Sequence, residues 1–117
     1  MHFAAKWSNL LNHKLRHMKI QHQGNTLLIG GLTELNATNA GGFRDAVRSA
    51  LTPQITHLDV DLSETRFLDS SGLGALIALH KSVAANQGVL RILRPTPTAQ
   101  QILELTRLHR VFEIVKT

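Results

Sequence analysis

Between Met18 and Val115 the spacing of apolar positions keeps switching between the period of a strand and that of a helix. Residues 18–23 (MKIQHQ) and 26–31 (TLLIGG) read as two short strands joined at Gly24-Asn25, a hairpin turn pair. In the next segment Ala40, Phe43, Val47, Ala50 and Leu51 share one helical face, with Arg44, Asp45 and Arg48 opposite. Asn36 or Thr38 is expected to cap that helix, and Pro53 follows its end. Residues 56–63 (THLDVDLS) alternate, with Leu58, Val60 and Leu62 on one face and the polar His57, Asp59 and Asp61 on the other. The stretch 67–81, FLDSSGLGALIALHK, leads from a strand end into a helix with the face Leu73, Leu76, Ile77, His80, Val83 and Ala84. Asn86-Gln87-Gly88 ends it. A strand at 89–93 (VLRIL) precedes a Pro-rich turn and a third helix carrying Ala99, Ile102, Leu103 and Leu105. VFEIV, 111–115, is the last strand. The order β-β-α-β-α-β-α-β predicts a single α/β domain, a mixed and mostly parallel sheet packed by helices.

Residues 1–17 stand apart as an N-terminal arm, with the domain expected over 18–117. Phe3, Trp7, Leu10, Leu11 and Leu15 recur at helical spacing, and Lys6, His13, Lys14 and Arg16 lie mostly off that stripe. A basic amphipathic helix is expected there, covering an apolar patch on the domain or on a second copy in a homodimer. The arm also holds much of the charge. Of the net +5, residues 1–17 carry +3 with no acid, and the other 100 residues balance ten Lys/Arg against eight Asp/Glu. A nearly neutral body with few aromatics argues against direct nucleic-acid binding. The chain has no cysteine, which excludes disulfides and thiolate chemistry and suits a cytoplasmic protein. No apolar run approaches the roughly 20 residues of a membrane span, so no stable membrane insertion is expected.

The chemistry concentrates at residues 69–74. Asp69, Ser70 and Ser71 are good helix-start residues, because free N–H groups there need acceptors. Gly72 and Gly74 are harder to explain, since each costs about 1 kcal/mol relative to Ala inside a helix. Close approach of another backbone, or of a partner surface, would offset that cost. A phosphate on Ser70 would gain from the positive helix terminus and be resisted by the charge of Asp69.

The run VDLSETRFLDSSGLGALIALHKSVAANQGVLRIL closely resembles the signature region of STAS domains, in particular of bacterial anti-sigma factor antagonists. TPTAQQILELTRLHRVFEIV resembles that family's third helix and last strand. The likeness covers roughly residues 19–116, and its sharpest part is D-S-S-G-L-G. It implies a sheet flanked by helices and phosphorylation of the serine after the aspartate, Ser70, by an anti-sigma factor with serine-kinase activity. The unphosphorylated form would bind that kinase and a serine phosphatase would reset the cycle. ATP would belong to the kinase, so no cofactor is expected here. Asp69, Ser71, Gly72, Leu73 and Gly74, with Thr33, Glu34 and Asn36 from the preceding loop, become the expected partner-binding residues. A STAS scaffold in a stress-signalling assembly, or a subunit of a lipid-transport complex, is the alternative. Two departures stand out. The family's acidic G-E-L-D is replaced by Gly30-Gly31-Leu32-Thr33, with Glu34 one position late, and the helix that commonly ends the family is not expected within residues 1–117.

Other groupings carry less. A serine hydrolase needs a histidine beside Ser70 or Ser71, but His80 lies two to three helical turns away and no G-x-S-x-G is present. His13 and His17, four apart, lack a third ligand and are expected to be solvated. Arg91 and Arg94 are expected to be solvated too.

Overall fold

A computed structural model describes residue 15 and residues 17–117. The elements are β1 (Lys19–Gln23), β2 (Thr26–Gly30), β3 (Glu34–Leu35), α1 (Ala40–Ala50), β4 (His57–Asp61), β5 (Phe67–Leu68), α2 (Ser70–Ala84), β6 (Val89–Leu93), α3 (Pro97–Leu105), a 3-10 turn (Leu108–Arg110) and β7 (Glu113–Val115). The predicted arm helix and His13 lie outside the described residues; Leu15, at the arm's end, is buried in the core.

The main sheet runs β1-β2-β4-β6-β7, with β1 antiparallel to β2 and all other pairs parallel. Gln23 pairs with Thr26, so the hairpin turns on Gly24-Asn25, and Gly24 takes the positive φ of +61° that such a turn needs. Strand alternation sends Leu27, Ile29, Leu58, Val60, Leu90 and Ile92 to one face. There they join Phe43 and Val47 of α1, Leu76 and Leu79 of α2 and Leu103 of α3 in one largely aliphatic core. Each fully buried side chain of this kind contributes about 1.5–3 kcal/mol.

The other face of the sheet is polar, as the alternation predicts, but its charges are not simply solvated. Across β4 and β6, Arg91 donates two hydrogen bonds to the carboxylate of Asp59, both 2.7 Å. Just past the end of β6, Arg94 pairs with Asp61 through a single guanidinium nitrogen and one carboxylate oxygen. The expectation of free Arg91 and Arg94 is thereby corrected: the β4–β6 register puts an acid within reach of each. Hydrogen bonding to Asp59 outweighs the desolvation of Arg91 and raises its pKa, with a smaller contribution from Glu113. At Asp61 partial burial works against the charged form. The hydrogen bonds from Ser63 and Arg94 outweigh it and hold the carboxyl below the ordinary carboxylate range.

Helix ends differ in part from expectation. Neither Asn36 nor Thr38 caps α1, because the helix starts later, after Asn39. The Asn36 side chain instead accepts from the Thr38 amide and hydroxyl, closing a tight turn, while its carbonyl accepts from the Ala40 amide. At α3, Thr96 caps through its hydroxyl and Pro97 occupies the first turn. Two residues placed on apolar helix faces lie outside. Ala84 is exposed at the end of α2, and Leu105 is 76% exposed, turned about 120° away from Ala99 around α3.

Candidate functional site

The strands β3 and β5, two residues each, assemble the site; the sequence places a strand end at 67 but gives no sign of β3. Glu34 pairs with Phe67 and Leu35 with Leu68 in parallel register. The Arg66 amide donates to the Thr33 carbonyl at 2.8 Å, and the Asp69 amide to the Leu35 carbonyl at 3.3 Å. Residues 33–36 are thus laid alongside residues 66–69, although more than thirty positions separate them in the chain.

Asp69 fastens this arrangement to α2. One carboxylate oxygen accepts from the Gly72 amide at 3.0 Å, the helix cap expected from the sequence. The other accepts from the Ala37 amide at 3.1 Å, in the loop before α1. A single side chain therefore holds the start of α2 against the β3–α1 loop. That loop is tied within itself, since Asn39 donates to the Glu34 carbonyl and accepts from the Asn36 amide.

The two glycines divide sharply. A Cβ on Gly72 would come 2.4 Å from the Leu35 carbonyl oxygen and 2.9 Å from Leu68, so this position is empty because the β3 backbone crosses it. Gly72 and Leu73 are buried, and they shape the site from beneath rather than presenting a contact surface. A Cβ on Gly74 would meet nothing within 4 Å, and the residue is exposed.

Ser70 and Ser71 are exposed in the first turn of α2, ahead of the helical hydrogen-bond ladder. Thr33 and Glu34 are exposed close by, and Asn36 is half-buried. Phe67, which the sequence reading did not single out, is 64% exposed next to them. An outward aromatic in a two-residue strand leaves no periodic signal. Thr33 also lines a half-open hollow of about 460 Å³ with His17, Lys19, Asp61 and Glu64. His80 is elsewhere: ten residues or about 15 Å along α2 from Ser70, its ring meets Phe112 edge-on with centroids 5.8 Å apart. It cannot serve Ser70 as a base. Among the described residues no group of three or more His, Asp or Glu could hold a metal ion, and no helix is long and apolar enough to cross a membrane.

A mixed, mostly parallel sheet over an aliphatic core, with a capped, serine-bearing helix start beside a two-residue strand pair, defines a class, and comparison with known proteins agrees. The STAS domain profile matches residues 17–117, and the chain belongs to that family. Within it, relatives are named as anti-sigma factor antagonists. A provisionally named one from Thermotoga maritima is 29% identical over 85 residues, covering 72% of this chain and 75% of its own. The anti-sigma F factor antagonist of Paenibacillus polymyxa is 22% identical over 98 residues, covering 83% and 84%. Solved structures share the fold. A crystal structure of a Thermotoga maritima protein with the same provisional name superposes with a TM-score of 0.79 at 24% identity, over 90% of this chain and 91% of that one. The Bacillus protein SpoIIAA matches at 20% identity in its unphosphorylated form (TM-score 0.73, 84% of this chain and 87% of its own) and in its phosphorylated form (0.67, 84% and 90%).

Proposed function

We propose that this chain is an anti-sigma factor antagonist, a protein-binding switch in the cytoplasm that is controlled by phosphorylation of Ser70 and has no catalytic step of its own. The observation that carries this reading is the placement of an exposed Ser70 directly after Asp69, whose carboxylate ties α2 to the β3–α1 loop. In the transfer, the Ser70 hydroxyl oxygen attacks the γ-phosphorus of ATP on a partner anti-sigma factor with serine-kinase activity. The bond to ADP breaks, and the hydroxyl proton leaves to a base in that kinase.

The product places about −1.5 to −2 charges on Ser70. The free N–H groups and dipole of α2 favour that charge. The Asp69 carboxylate opposes it. Because Asp69 also holds the Ala37 amide, the phosphate acts on the loop carrying Glu34 and Asn36 as well as on the surface of α2. Unphosphorylated, the exposed Ser71, Gly74, Thr33, Glu34 and Phe67 offer the anti-sigma factor a surface with one aromatic and one acid. Binding there releases the sigma factor, phosphorylation ends the binding, and a serine phosphatase restores it. Gly74 supports this reading because no described residue lies within 4 Å of where its Cβ would stand.

The test is to incubate the protein with the anti-sigma factor kinase that recognises it and ATP, then locate the phosphate by mass spectrometry. A single phosphate on Ser70, absent from Ser70→Ala, is expected. Equal labelling of Ser70→Ala would refute the site, and no labelling by the kinase would favour a STAS scaffold instead.

A further inference from the structure

At the end of α3 the chain breaks a local rule. The helix is closed by Thr106, whose hydroxyl donates to the Ile102 carbonyl at 2.8 Å, and the next residue takes the left-handed conformation with φ 60° and ψ 17°. Glycine is the usual residue at this position after a helix, because a Cβ is disfavoured there. This chain has Arg107. The conformation is held on both sides: the Arg107 amide donates to the Glu104 carbonyl at 3.1 Å, and its carbonyl accepts from the Arg110 amide at 3.2 Å.

What the arginine does there is visible in its surroundings. Arg107, His109 and Arg110 line a hollow of about 360 Å³ together with Glu104. Neither arginine has an ion-pair partner among the described residues, whereas Arg44, Arg91 and Arg94 each have one. Neither Glu104, which lines the hollow, nor Glu113 forms an ion pair with these arginines. Glu104 accepts from the Gln100 side chain at 2.8 Å, and Glu113 acts on Arg91. His109 Nδ1 lies 3.4 Å from the Leu103 carbonyl, which directs the opposite edge of the ring away from the helix. Next in the chain to Glu104 and Arg110, two lining residues, are Leu105, 76% exposed, and Val111, 46% exposed. Leu108 and Phe112 pack inward and hold the turn in place. This surface lies at the end of the sheet where β7 begins, opposite the end where α2 starts.

We infer that this turn is a second docking surface, which takes an acidic segment of a partner protein: a carboxylate enters between Arg107 and Arg110 while an adjacent aliphatic side chain rests on Leu105 and Val111. Charge complementarity favours this occupant, since two unpaired guanidiniums face one concave space and guanidinium matches carboxylate geometry. The hollow is shallow, and Glu104 in its wall disfavours a continuous anionic plane, so a single carboxylate placed on the arginine side fits it better than a bilayer surface. The surface does not depend on Ser70.

The experiment uses the whole protein and a fluorescently labelled peptide of alternating glutamate and leucine, with a glutamine-for-glutamate peptide as the neutral probe. Saturable binding of the acidic peptide, weakened by salt and absent for the neutral one, is expected. Arg107→Gly should leave the fold intact or raise Tm, because it relieves the left-handed backbone, yet combined with Arg110→Gln it should weaken binding about tenfold. Leu105→Gln should weaken it as well, and Ser70→Ala should bind like wild type. Arg48→Gln with Lys81→Gln removes the same charge elsewhere on the surface and should leave binding unchanged. An equal loss with that control pair, or full binding by the Arg107/Arg110 variant, would overturn the assignment. So would binding to phosphatidylglycerol vesicles, lost in the Arg107/Arg110 variant, without binding to the peptide.

Discussion

The two ends of the sheet each carry residues that local propensity disfavours, and the causes differ. At the start of α2, Gly72 weakens a helix but lets the β3 backbone pass 2.4 Å from where its Cβ would stand. The gain lies inside the chain. At the end of α3, Arg107 occupies a glycine conformation, and its guanidinium has no ion-pair partner among the described residues. Gly74 resembles Arg107 in this respect, since no described residue packs into its open space. Gly72 therefore has its reason inside the chain, whereas the partner roles proposed for Gly74 and Arg107 rest on surfaces that face outward.

The sharpest way to break this distinction is Gly72→Ala. The new methyl would meet the Leu35 carbonyl and Leu68, so roughly 1–3 kcal/mol of stability should be lost, with loosening of the β3–β5 pair. Denaturant unfolding measures the loss, and amide exchange at Leu35 and Asp69 reports the loosening. A neutral Gly72→Ala would mean that the crossing is not tight. Gly74→Ala should do the opposite and stabilise α2 by up to about 1 kcal/mol, while weakening anti-sigma factor binding. If it stabilised the protein and left that binding untouched, Gly74 would be a neutral feature of the helix.

A smaller effect tests the polar sheet face. Asp61 is held below the ordinary carboxylate range, so its stabilisation is complete above the unfolded-state pKa of about 3.9 and is lost as pH falls through the lower folded-state value. Wild type should therefore exceed Asp61→Asn in stability near neutral pH by at most about 1 kcal/mol. The margin should shrink as the pH falls below about 4. A margin that does not change with pH would show that the Arg94 and Ser63 contacts do not act through the charge.

Much of this architecture is written in repeating patterns. Alternation in TLLIG, HLDVD and VLRIL marks the inner strands, because each must send every second side chain to one core. The helix start at Asp69 is legible because capping is local chemistry. What sequence reading missed is set by distant segments. Strands of two residues, such as Glu34–Leu35 and Phe67–Leu68, are too short to show a period, and so the outward Phe67 passed unnoticed. Gly72 and Gly74 look alike until the Leu35 backbone is placed over one of them. Asp59 and Arg91 were each assignable to a polar face, yet their pairing depends on the β4–β6 register. The spacing puts Leu105 with the apolar residues of the third helix, and the position of α3 on the core turns it outward.

The central claim is that charge on Ser70 controls partner binding. The direct measurement is calorimetric titration of the anti-sigma factor kinase with the unphosphorylated protein, with the protein phosphorylated at Ser70, and with Ser70→Ala. Tight binding by the first and third and at least tenfold weaker binding by the second are predicted, a difference of about 1.4 kcal/mol or more. Equal affinity for the phosphorylated and unphosphorylated forms would contradict the account.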